Sequence, residues 1–204
     1  MDRQEYLNQI SAANHPVKKP KTGIFSSKIF WLIVSAVAAF ILIVILGSVL
    51  GSGKTSDKDK IFSLILHLDN TQAVISEYQP NVKSSDLRSH SASLNSILSN
   101  TSKELTEYAT SKYNYKQKDV KKSITEEETT AKDGLAKELF QAKINGNLDR
   151  IYAHKMAYEI SLIANREAQL LKSINNETLK NALTTSYNSL NNLYDKFNDF
   201  SETN

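Results

Sequence analysis

Cysteine is absent from all 204 residues, and tryptophan (one), proline (three) and glycine (six) are scarce. The missing thiols exclude a disulfide framework, a thiolate metal site, a cysteine nucleophile and an N-terminal lipoprotein anchor. They leave the redox compartment open, since a cysteine-free chain is at home in any. With few Pro and Gly beyond residue 57, and no sustained period-two alternation, little argues for strands. The larger part of the chain also lacks a charge of one sign. Residues 51–204 carry 20 basic and 20 acidic side chains, so the formal excess of +3 belongs to residues 1–28. A pI of about 8.9 is therefore no sign of nucleic-acid binding, and no nucleic-acid partner is expected.

One long run does without charge altogether. Ile29–Leu50 reads IFWLIVSAVAAFILIVILGSVL. As a helix it would span roughly 33 Å, enough for a hydrocarbon layer of about 30 Å. Phe30 and Trp31 stand where aromatic rings favour the interface, and Lys28 can snorkel to headgroups. A cleaved signal peptide fits less well, because its apolar stretch is shorter and its leading segment is not 28 residues long. The sequence therefore predicts an uncleaved signal-anchor and a single-pass membrane protein. The basic group Lys18, Lys19 and Lys21 resists translocation, which puts the N-terminus in the cytoplasm and the C-terminal domain outside. With Pro16 and Pro20 the tail cannot be helical throughout; its lysines could touch anionic headgroups, or serve topology alone.

Gly51-Ser52-Gly53-Lys54-Thr55 imitates the end of a phosphate-binding loop. The full pattern needs glycine five residues before Gly53, where Ser48 stands, so the segment reads as a linker. The predicted organisation is a basic tail (1–28), a transmembrane helix (29–50), a linker (51–56) and an extracytoplasmic bundle (57–204).

In the bundle, apolar residues recur at helical spacing. The first predicted helix covers Asp57–Gln79, with Ile61, Leu64, Ile65, Leu68, Ile75 and Tyr78 on one face and Pro80 after it. The second runs from Ser85 to about Ser111. The third spans Asp119–Ile144, or begins at a capping box formed by Ser123 and Glu126. Asn145-Gly146-Asn147 breaks the chain, Gly146 suiting a left-handed position and Asn147 an N-cap. Leu148–Ile174 carries the clearest stripe, and Glu177–Phe200 completes an all-α, up-down bundle of four or five helices. A faint echo pairs Asp86-Leu87-Arg88 with Thr178-Leu179-Lys180, as two hairpins joined by a third helix would; shared Ser/Asn/Leu bias explains it equally well.

Leu148-Asp149-Arg150-Ile151-Tyr152 and Met156, followed by Glu177-Thr178-Leu179-Lys180, resemble the paired helices of ferritin-like four-helix bundles of the bacterial envelope. The resemblance covers about a quarter of the chain. It implies that fold, but Ile160 stands where such proteins would carry a histidine, so it implies no metal binding.

Candidates for chemistry are few. None of His67, His90 or His154 has Glu three residues before it, as a carboxylate-bridged metal pair requires. His67 and His154 fall off the apolar stripes and read as solvated; His90 lies at a stripe edge. Glu167, four residues from both Ile163 and Leu171, sits on an apolar line, where a carboxylate must be paired or rim-exposed; it is the weak candidate for a metal ligand or acid. Glu127 and Glu128 share that ambiguity, although the Glu126–Glu128 run beside Lys121-Lys122 reads most simply as a solvated face. Two Asn-x-Ser/Thr triplets, at Asn100 and Asn176, are what composition alone would supply. No nucleophile elbow, paired catalytic carboxylates or phosphate cradle stands at a convincing spacing, so no cofactor is expected. The expectation is a non-enzymatic binding, scaffolding or assembly component, partnered by the bilayer and by another envelope protein or itself. The alternatives are a ferritin-like metal or redox protein with atypical ligands, and a ligand-sensing domain of a multi-subunit membrane complex.

Overall fold

The computed structural model describes residues 56–200, which form five helices and no strands. Among these residues no helix is long and apolar enough to cross a membrane. The predicted span Ile29–Leu50, its anchors Lys28, Phe30 and Trp31, and the tail lysines Lys18, Lys19 and Lys21 lie outside the described residues.

Each helix begins and ends for local reasons. In α1 (Asp57–Tyr78) the Ser56 hydroxyl accepts from the Asp59 amide at 3.2 Å, and Asp57 and Asp59 suit the positive end of the helix dipole. Pro80 then stops it in a short 3₁₀ turn, Gln79–Asn81. Ser84 caps α2 (Ser85–Tyr113), accepting from the Leu87 amide, and Asn114 closes it in the left-handed region at φ 52°. A second 3₁₀ turn, Gln117–Asp119, leads to α3 (Lys122–Ile144). The predicted capping box is not used: Ser123 lies inside the helix, and its N-cap is Lys121, with no side-chain capping bond. Gly146 takes φ +73° as expected, but Asn147 makes no capping bond for α4 (Leu148–Leu171). The Asn176 side chain accepts from the Leu179 amide at 2.8 Å and starts α5 (Glu177–Asn198).

Four of the helices form a ring in which α1 packs on α2, α2 on α5, α5 on α4 and α4 on α1, while α3 lies outside against α1 and α4. Cross-helix bonds fix the directions. Asp69 and Phe62 of α1 meet Ser102 and Tyr113 of α2, Thr101 and His90 of α2 meet Ser186 and Phe197 of α5, and Ser63 and His67 of α1 meet Arg166 and Glu159 of α4. The ring is thus antiparallel throughout, as an up-down bundle requires. Lys121, Glu128 and Ala136 meet Asp59, His67 and Tyr78 in that order, so α3 runs parallel to α1. Asp149 joins the far end, its two carboxylate oxygens accepting from the backbone amides of Lys83 and Ser84 at 2.9 and 2.7 Å.

Tyr152 and Phe197 are the largest fully buried side chains, among leucines and isoleucines from every ring helix. The stripe of α4 is buried as the spacing predicts, with Leu171 alone partly exposed. On α1, by contrast, burial extends to Phe62, Leu66, His67, Thr71 and Val74. The reason is topological: α1 touches three helices, so its buried arc is wider than the single stripe expected of a surface helix.

Candidate functional site

Two clusters of buried polar side chains lie between the helices, and they differ in how charge is balanced. The first joins α1, α3 and α4. His67 was expected to be solvated; it is buried instead, and so is Glu128, whose run was expected to face water. The imidazole Nδ1 lies 2.8 Å from Glu128 Oε2. On its other side Nε2 stands 3.0 Å from Glu159 Oε2, an ion-pair contact whose alignment falls short of a hydrogen bond. Glu128 Oε1 also accepts from Arg166 at 2.6 Å and from the Ser63 hydroxyl at 2.7 Å. Burial opposes charge on His67, but the Glu128 hydrogen bond and the Glu159 carboxylate outweigh it and raise its pKa. For Glu128 burial likewise favours the neutral acid, yet His67 and Arg166 prevail and hold its pKa at about 2. Two basic and two acidic side chains therefore meet in one buried quartet. The cavity beside it, lined by His67, Thr71, Glu128 and Glu159, measures only about 10 Å³, room for one water and no substrate.

The second cluster joins α4, α5 and α2 around Glu167, which is fully buried. Its Oε1 lies 2.7 Å from Ser186 Oγ, which lies 2.8 Å from Thr101 Oγ1, which lies 2.9 Å from the Ile97 carbonyl oxygen. The Ser186 hydroxyl donates to Glu167 Oε1, and its own oxygen accepts from the Thr101 hydroxyl. Oε2 has no partner, and no countercharge is near. Burial accordingly pushes the carboxyl up to about 8, against the smaller pull of Ser186. Glu167 is neither paired with a cation nor rim-exposed, and its burial favours the neutral acid.

Thr101 and Ser186 also lie at the bottom of a groove of about 500 Å³ between α2 and α5, with Asn100, Glu104, Asn181, Thr185 and Ser189 around it. That volume falls in the range of ligand pockets, and the lining mixes hydroxyls and amides with the apolar surface of Ile97 and Ala182 and the carboxylate of Glu104. The helices supplying it have long runs without Asp, Glu, Lys or Arg: Ser89–Ser102 on α2 and Asn181–Tyr194 on α5. Such a surface offers hydrogen bonds and close approach, with Glu104 its one charged lining residue.

His154 is exposed, and His90 is half-buried with its ring edge-on to Phe197 at 6.1 Å. Ile160 is fully buried in apolar surroundings. Among the described residues no group of three or more His, Asp and Glu converges to hold a metal ion. Sequence reasoning missed Glu159, Arg166, Ser186 and Thr101. Glu128 carried a signal, since with Leu135, Leu139 and Ala142 it lies on one face at intervals of about two turns, one turn and one turn. No family model matches this chain, and no curated protein or solved structure is significantly similar to it.

Proposed function

We propose that this protein is a single-pass, membrane-anchored helical bundle that works without catalysis, as a binding or assembly component of the cell envelope, and that the α2–α5 face receives its partner. The observation that carries the reading is the contrast between the two kinds of surface. The ionisable side chains that meet inside the bundle are spent on one another or held neutral, whereas the α2–α5 groove opens over two adjacent runs without Asp, Glu, Lys or Arg and mixes amides and hydroxyls with apolar surface. A partner that offers neutral hydrogen-bonding groups and small side chains fits such a face. The charge-free segment Ile29–Leu50 supports the anchor, and the short linker to α1 keeps the bundle near the bilayer.

Site-specific photocrosslinking in intact cells tests this. A crosslinker at Asn181 or Thr185 is expected to trap a discrete larger species, and one at Lys132 on α3 is not. Monomer alone at all three positions overturns the reading. Protease added to intact cells is expected to cut the C-terminal domain and spare residues 1–28; the reverse pattern rejects the orientation.

A further inference from the structure

The net neutrality of the bundle hides a polarity along its axis. From Thr110 to Lys122 five lysines, Lys112, Lys116, Lys118, Lys121 and Lys122, face one acid, Asp119, and all five are exposed. This segment ends α2 and leads into α3 at the end of the bundle where α1 begins: Lys121 Nζ lies 2.5 Å from Asp59 Oδ2, and the Tyr115 ring lies 4.6 Å from that of Phe62. The α4–α5 turn is at the same end, where Gln169 and Leu170 share a pocket with Asp59 and Lys60, and it adds Lys172 and Lys180 against Glu177. With the balanced Asp57–Lys60 segment included, this end carries +5. The opposite end, made by Glu77–Arg88, Lys143–Arg150 and Asp195–Asp199, sums to zero.

Aromatic rings accompany the lysines. The Phe62 ring meets Tyr113 and Tyr115 edge-on, and Tyr108 meets Tyr113. Lys58 lies over Phe62, and Lys112 over both Tyr108 and Tyr113, at 5.2–5.4 Å from the ring centroids. The three tyrosines are partly exposed. Tyrosine and lysine together are the pair that settles at a headgroup layer, one by its amphipathic ring and the other by charge.

From this juxtaposition we infer that the basic, tyrosine-bearing end of the bundle is a docking surface for anionic lipid headgroups, holding the domain upright on the bilayer. The inference rests on the proposed anchor. Only residues 51–56 separate Leu50 from α1, a stretch that reaches at most about 20 Å, so this end is the one tethered near lipid. Lysines within a Debye length, about 8 Å, of an anionic surface are attracted to it, whereas the neutral end gains nothing.

The absence of cysteine makes the test direct. Single variants Gln117→Cys at the basic end and Asn145→Cys at the other are labelled with a fluorophore in the full chain. The protein is reconstituted in vesicles of phosphatidylcholine, alone or with phosphatidylglycerol, that carry a headgroup-attached quencher. The Gln117 label is expected to be quenched about fivefold more in anionic than in neutral vesicles. High salt, or Lys116→Gln with Lys118→Gln and Lys122→Gln, should abolish the difference, and the Asn145 label should show none. Equal quenching at the two ends, or a salt-insensitive difference, overturns the docking. So does a Gln117 label that stays free in anionic vesicles but is shielded in native membranes, which assigns this end to a protein. Flotation with neutral vesicles after an alkaline wash reads the anchor separately: a chain that floats with Gln117 unquenched keeps the anchor and loses the docking, and one that does not float loses both.

Discussion

Glu167 and His67 are both buried and ionisable, and their surroundings treat them in opposite ways. His67 lies between two acidic side chains, Glu128 and Glu159, whereas Glu167 has one hydroxyl partner and no countercharge. At Glu167 the native state keeps a proton that the unfolded chain releases above about pH 4.5. Stability therefore falls as pH rises from there to about 8, and the loss amounts to roughly 3 kcal/mol by neutral pH. Glu167→Gln keeps a neutral amide oxygen to accept from Ser186 and cannot ionise. Its urea midpoint should match the parent near pH 4.5 and exceed it increasingly up to pH 8; parallel curves for the two proteins would refute the neutral acid. His67→Ala leaves Glu128 and Glu159 buried without the imidazolium between them. A loss of about 3–5 kcal/mol is expected in thermal unfolding, partly restored by adding Glu128→Gln, because a buried carboxylate left without its cation is what costs most.

Among the elements, α3 stands apart. Its own buried side chains are Glu128, Leu135, Leu139 and Ala142, and its outer face leaves Phe140 and Ile144 exposed. It is held largely by polar ties: Lys121 to Asp59, Glu128 to His67, Ser63 and Arg166, and the Tyr78 hydroxyl donating to the Ala136 carbonyl. Little apolar burial means a low cost of local opening, so α3 should exchange its amide hydrogens faster than the four ring helices. Equal protection across all five would contradict this. Two glycines bracket the same region with opposite expectations. A Cβ at Gly134 meets nothing within 4 Å in mid-helix, so Gly134→Ala should stabilise by about 0.5–1 kcal/mol; Gly146, at φ +73°, should lose stability on the same change. The helices themselves were legible because a 3.6-residue period survives wherever one face is buried, as along Leu148, Tyr152, Met156, Ile160 and Ile163. The start of α3 was not, since Ser123 offers the right residue type but the helix already begins at Lys122, after a 3₁₀ turn that takes Asp119. His67 was misplaced for a further reason: spacing reports the width of a buried arc only if the number of neighbouring helices is known, and that is a property of topology.

At the scale of the whole molecule, the same limit separates what composition reveals from what packing decides. Net charge is additive and was read correctly as zero for the domain, but neither the basic end nor the quartet inside can be seen in a sum. The buried groups together set the pH at which the fold is most stable. Glu128, held at about 2 by His67 and Arg166, stabilises the native state above its ordinary value of 4.5, and that contribution is lost as pH falls. Asp59, lowered chiefly by its bond to Lys121, acts in the same direction. His67 has its pKa raised above 6.5, so its contribution is complete below that value and disappears as pH rises through the folded one. Glu167 adds a penalty that grows from about pH 4.5 to 8. The acid-side losses begin below about 4.5, the Glu167 penalty begins just above it and the His67 loss joins above 6.5, which places maximum stability near pH 4.5. Chemical denaturation across pH should therefore give its highest midpoint near pH 4.5, with a decline toward pH 8 that Glu167→Gln makes shallower and a decline toward pH 3 that it leaves alone. A midpoint still rising at pH 8 would mean that the quartet and the buried acid do not hold the protons their geometry requires.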